Sequence, residues 1–157
     1  MERLVEVRAA GEWPLAEERG TLTLAFEERH RRRMRLASDQ GVELLLDLPR
    51  AVQLRDGDGL LAERGGWWRV VAAPETVLEV RGRDPQHTAR LAWHLGNRHC
   101  PTEIRPDGLR VRHDHVLEAM VTGLGASCRQ LFVPFDPEGG AYPGGHGHGH
   151  GHGQHDP

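Results

Sequence analysis

The sequence predicts an α+β protein in three parts: an all-β unit over residues 1–73, a ferredoxin-like β-α-β-β-α-β unit over residues 74–138, and a disordered tail over residues 139–157. Three observations predict it. Short extended runs separated by glycine-bearing turns fill the first half, helical spacing appears only after Pro74, and from Gly139 onward the chain is mostly glycine and histidine.

In the first half the runs are Thr21-Leu22-Thr23-Leu24-Ala25-Phe26, Met34-Arg35-Leu36, Val42-Glu43-Leu44-Leu45-Leu46 and Trp67-Trp68-Arg69-Val70-Val71. Asp39-Gln40-Gly41, Arg55-Asp56-Gly57-Asp58-Gly59 and Arg64-Gly65-Gly66 supply turns between them, because glycine enters the left-handed region without steric penalty. Two small sheets or a sandwich are expected, with Trp13, Trp67 and Trp68 in or beside the core, since large aromatics contribute most of the burial in a small unit.

The second half opens with a strand at Val77-Leu78-Glu79-Val80. Asp84-Pro85 then pairs an N-cap carboxylate with a proline that fits the first helical turn. The helix is expected to run to about Leu95, with Ala89, Ala92 and Trp93 on one face and Gly96-Asn97 closing it in a left-handed turn. Thr102–Arg105 and Leu109–Arg112 flank Pro106-Asp107-Gly108 as a hairpin. Leu117, Met120, Val121 and Leu124 recur at helical spacing, and Gln130-Leu131-Phe132-Val133 reads as the last strand. This is the split β-α-β order.

The 157 residues carry a formal charge of −3, and all 20 basic residues are arginine, so no lysine is available for a Schiff base or a phosphate loop. His30-Arg31-Arg32-Arg33-Met34-Arg35 reads as a solvated strand face rather than a nucleic-acid patch, given the acidic balance. No run approaches the ~18 apolar residues of a membrane span and the N-terminus lacks a signal pattern, so a cytoplasmic location is expected. Only Cys100 and Cys128 are present. That excludes a disulfide framework and a cysteine-rich zinc site, and leaves imidazoles to bind metal.

Imidazoles are concentrated at the end of the chain. His146, His148, His150, His152 and His155 alternate with small residues, so successive rings can turn onto one Ni(II), Cu(II), Zn(II) or Co(II) ion. The alternation and the final Gln154-His155-Asp156-Pro157 are unlike a purification tag. Within the folded part, His113-Asp114-His115 sits where the hairpin ends and a helix begins, where the histidines are either ligands or exposed polar residues. His99 is unremarkable when read alone.

A family resemblance gives these histidines roles. Ala92-Trp93-His94-Leu95-Gly96-Asn97-Arg98-His99 and Asp114-His115-Val116-Leu117 resemble the urease accessory protein UreE family, as do Leu48-Pro49-Arg50 and Leu54-Arg55-Asp56-Gly57-Asp58. The likeness covers about residues 20 to 135 and the histidine-rich end. It implies a nickel metallochaperone that delivers Ni(II) to apo-urease, and a homodimer in which His99 of both subunits shares one ion. It also implies His113 and His115 as peripheral ligands, a peptide-binding-like first domain, and as partners the urease apoprotein complex and the urease accessory GTPase. Cys100 departs from the family, which commonly has an apolar residue there. Because Pro101 favours extended backbone before it, Cys100 is expected to face its own domain, opposite His99.

A two-fold axis supplies the second copy of His99 without a second motif. A tail of about 18 residues would reach roughly 25 Å, enough to bring further imidazoles to that axis. The alternative reading is a nickel or zinc storage and buffering protein acting mainly through the tail. A hydrolase built on His113, Asp114 and His115 lacks further ligands in the sequence, and a peptide-binding chaperone would act through the β unit without metal.

Overall fold

The computed structural model describes residues 1–139. The histidines at 146, 148, 150, 152 and 155 lie outside the described residues.

The N-terminal part is mostly β. Strands β1 (Glu2–Arg8), β2 (Glu18–Leu24), β3 (His30–Ala37), β4 (Glu43–Gln53), β5 (Gly59–Ala62) and β6 (Trp67–Ala72) form one six-stranded sheet in the order β2-β6-β5-β1-β4-β3. It is mixed, β1 with β4 and β2 with β6 pairing parallel and the rest antiparallel. The expected two small sheets are therefore continuous, because β1, which the sequence reading passed over, joins them. Its register sets Leu4 opposite Leu46 on one side and Ala62 on the other.

Leu4, Leu22, Leu44, Leu46, Leu54, Leu60, Trp68 and Val70 make the core. Trp13, Trp67 and Trp68 are buried as expected. The Trp13 indole donates to the Gly57 carbonyl (3.0 Å) and stacks on Trp67 at 6.0 Å. Gly59 is required beneath it, since a Cβ there would lie 2.5 Å from the Trp13 ring.

The C-terminal part is α+β with two helices. Its elements are β7 (Pro74–Arg81), α1 (Pro85–Asn97), β8 (Glu103–Arg105), β9 (Gly108–Arg112), α2 (His115–Gly123) and β10 (Ser127–Pro134). They follow the expected β-α-β-β-α-β order. The sheet is β10-β7-β9-β8 with every neighbouring pair antiparallel. Leu78, Val80, Leu109 and Val111 pack with Leu91 and Leu95 of α1 and Val121 of α2.

Two expectations about α1 are corrected. The helix runs two residues beyond Leu95, and its buried residues are His87, Leu91 and Leu95, with Ala92 alone of the three expected positions packed, partly buried, against the same core. Ala89 and Trp93 face outward. The apolar stripe was mis-phased because one of its members is histidine. His87 is 6% exposed yet satisfied, its Nδ1 accepting from the Arg83 amide (3.0 Å) and its Nε2 lying 2.8 Å from the Leu124 carbonyl.

After β10 the chain forms a strap toward β8, the opposite edge of its sheet. Phe135 is buried edge-on against Phe26 at 5.5 Å. The fully buried Arg29 donates to the Phe135 carbonyl and to Asp136 (3.2 Å), joining the two units. The Asp136 amide donates to Glu103 (2.8 Å) and the Glu138 amide to the Thr102 carbonyl (2.8 Å). The chain thus reaches residue 139 beside Thr102.

Candidate metal site

The two histidine positions of interest in the described residues lie at helix termini. His99 follows α1 with φ +55°, the sole positive-φ non-glycine residue among those described. Its amide donates to the Gly96 carbonyl (2.9 Å) and the Cys100 amide to the Leu95 carbonyl (3.1 Å). This pair of bonds is the Schellman closure, with His99 in the left-handed position that glycine usually occupies. The turn expected at Gly96-Asn97 therefore lies later, and the imidazole stands on the surface at the helix end. Left-handed backbone at a non-glycine residue costs of order 1–3 kcal/mol and concentrates at functional sites.

Cys100 takes the position after the left-handed residue, where an apolar contact back to the helix commonly accompanies this closure. It packs against the cluster containing Leu95, and burial pushes its thiol pKa up. His99 and Cys100 thus differ in environment, though the cause is the helix closure rather than the extended geometry expected before Pro101.

His113 and His115 bracket the N-terminus of α2. Asp114 is the N-cap, its Oδ1 accepting from the amides of Val116 (2.8 Å) and Leu117 (2.9 Å). The Leu117 amide is the main cause holding its carboxyl below the usual aspartate range. The two rings meet edge-to-face at 5.0 Å. Glu118, not singled out from the sequence, joins them: ligand atoms of His113, His115 and Glu118 all lie within 4.8 Å of one another. Its signal was available, since Glu118 lies three residues after His115 and so shares its helix face.

Between these places lies an open cleft of about 580 Å³, walled by Arg98, Cys100 and Pro101 on one side and Arg112, His113 and Asp114 on the other. The chemistry offered is imidazole and carboxylate at open positions, suited to borderline divalent ions and to their exchange. Trp93 and Val116, both 64% exposed, leave apolar surface on α1 and α2. Among the described residues no helix is long and apolar enough to cross a membrane.

Surface imidazoles and a carboxylate thus stand at helix ends of a β plus α+β scaffold, a donor set whose chemistry fits a divalent cation. Comparison with known proteins gives the family. The chain matches the models for the UreE urease accessory protein N-terminal domain over residues 1–73 and C-terminal domain over residues 75–157, and it belongs to that family. A urease accessory protein UreE of Rhodopseudomonas palustris (strain HaA2) is 56% identical over 126 residues, covering 80% of this chain and 59% of the relative. Those of Rhodopseudomonas palustris (strain BisB18) and Bradyrhizobium sp. (strain ORS 278) are 51% and 56% identical, covering 90% and 78% of this chain. The chain spans 59%, 67% and 58% of the length of these three relatives.

Proposed function

We propose that this chain is a cytoplasmic nickel metallochaperone that delivers Ni(II) to apo-urease. Nickel is its cargo. The observation that carries the reading is His99, an imidazole displayed by a left-handed turn on the surface of a chain that belongs to the UreE family. In this reading residues 74–138 form the ferredoxin-like dimerisation and metal-binding domain. His99 of each subunit shares one ion at the two-fold axis. Exposed Trp93, one helical turn before Asn97, and Val116 are apolar surface suited to burial by the second copy. Residues 1–73 form the peptide-binding-like domain.

His113 and His115 act as peripheral ligands. The tail over residues 139–157 adds His146, His148, His150, His152 and His155, and Zn(II), Cu(II) or Co(II) can replace nickel in vitro. The Glu138 to Thr102 hydrogen bond supports a working connection, because it starts the tail three residues from His99. The partners are apo-urease with its accessory complex, including the accessory GTPase. The second reading, storage through the tail alone, predicts that His99 is dispensable. Activation of apo-urease at limiting nickel separates them: His99→Ala should abolish it, and activation equal to wild type would refute the shared-site reading.

A further inference from the structure

The basic run of the sequence falls on β3, an edge strand of the six-stranded sheet, with β4 on one side and no strand on the other. The hairpin tells which main-chain groups face that edge. The Ser38 amide donates to the Val42 carbonyl (2.8 Å), so Ser38 and every second residue before it turn their main chain toward β4. Arg33 and Arg35 therefore turn their N–H and C=O groups outward. Among the described residues no other segment bonds to them.

The side chains alternate in the same way. Leu36 is buried and Met34 packs partly buried on the core, so Arg33 and Arg35 share the outer face of the sheet, about 6.8 Å apart at the ~3.4 Å rise of a strand. Exposed Arg31 is next in line, across an irregularity in the β3–β4 pairing. Local acids do not neutralise this row. Asp47 lies opposite Arg33, but its carboxylate is bound to Arg3 (3.1 Å), and Glu43, opposite Ala37, makes no ion pair among the described residues. Neither do Arg33 and Arg35. A chain of net charge −3 thus presents an uncompensated cationic row on an open edge.

We propose that the edge of β3 over residues 33–37 takes an extended acidic segment of a partner protein as an added strand. This rests on the peptide-binding-like reading of residues 1–73, to which it gives an edge and a chemistry, and it requires neither His99 nor nickel. In an antiparallel addition the residues opposite Arg33 and Arg35 exchange main-chain hydrogen bonds with them and set their side chains roughly 5 Å away on the same face. Asp or Glu at every second position then meets each arginine in turn. A second copy of β3 is excluded as occupant by charge, since it would set arginine against arginine. Nucleic acid fits less well, because phosphates accept hydrogen bonds but offer no donor to the outward carbonyls.

The test uses the metal-free full-length chain and fluorescent peptides in which threonine alternates with glutamate, serine or lysine, read by anisotropy at low salt. The glutamate peptide should bind most tightly and weaken as salt is added. Arg33→Glu with Arg35→Glu should weaken it at least tenfold. Arg64→Glu with Arg90→Glu, the same charge change at exposed arginines elsewhere, should cost less than twofold. All four side chains lie on the surface, so these replacements leave the core intact. An added strand bonds through one of its two edges, so N-methylation of alternate peptide residues should remove binding in one phase and spare it in the other. Failure of the glutamate peptide to bind, equal weakening by the two arginine pairs, equal tolerance of both methylation phases, or tighter binding of a single-stranded oligonucleotide of equal charge would each overturn the proposal. Equal binding of the glutamate and serine peptides would overturn the acidic chemistry while leaving the peptide-binding reading of the domain standing.

Discussion

His99→Gly should stabilise the metal-free protein and, if His99 is the proposed ligand, abolish tight nickel binding. At φ +55° the residue occupies backbone that costs an L-residue about 1–2 kcal/mol and glycine almost nothing. Glycine also gains freedom in the unfolded chain, worth roughly 0.5–1 kcal/mol against folding. The side chain is exposed, so losing its contacts costs about 0.5 kcal/mol at most. The net expectation is a gain of up to about 1 kcal/mol, or 2–4 °C per kcal/mol in melting temperature for a chain of this size. His99→Ala keeps the backbone penalty and should show no gain. Thermal and urea unfolding of the three metal-free proteins, with nickel titration alongside, makes the comparison. Destabilisation of His99→Gly by 1 kcal/mol or more would show that packing holds the imidazole and would refute the argument from backbone strain.

Arg29→Met should destabilise the chain by about 2–4 kcal/mol, since it strips a donor from the Phe135 and Leu54 carbonyls and a partner from Asp136. Hydrogen exchange at the Asp136 and Glu138 amides should accelerate beyond the global effect, and unchanged exchange there would count against the strap. The Asp114 cap should be acid-sensitive: its pKa is lowered by folding, so its stabilisation is full above the unfolded value and is lost as pH falls through the folded one. The stability gap between wild type and Asp114→Ala should therefore close in acid, and a gap constant to the lowest accessible pH would contradict the cap. Nickel should leave the protein as pH falls below about 6, because imidazole must be unprotonated to ligate. Equal binding at pH 7.5 and pH 5 would point to other ligands.

The sequence was legible where local chemistry decides. Asp84-Pro85 opens α1, Asp114 caps α2, and the turn glycines Gly41, Gly57, Gly65 and Gly66 have positive φ. It was illegible where distant partners decide. Glu2–Arg8 alternates too weakly to announce a strand, yet two neighbours flank it from residues 43–62. The stripe of α1 was mis-phased because His87 is buried through hydrogen bonds rather than apolarity. The histidines of the candidate site were named from motifs; Glu118 was legible from its place three residues after His115 on α2, whereas Gln130 of β10 joins them only through tertiary packing. The left-handed turn at His99 was displaced in the reading toward Gly96-Asn97, because glycine is the usual signal and histidine is not.

The strap has a bearing on how the chain folds. Arg29 meets the Phe135 carbonyl across 106 positions of sequence, and closing so long a loop is a slow, late event compared with forming local turns and helices. On a ribosome that bond cannot form until residue 135 and the strand before it have emerged. The six-stranded sheet and the helices can assemble first, leaving the buried pocket for Arg29 without its last wall. The start of the histidine tail would be fixed beside Thr102 only when that wall arrives. Placement of Glu138 beside Thr102 is then a late step that follows assembly of both domains.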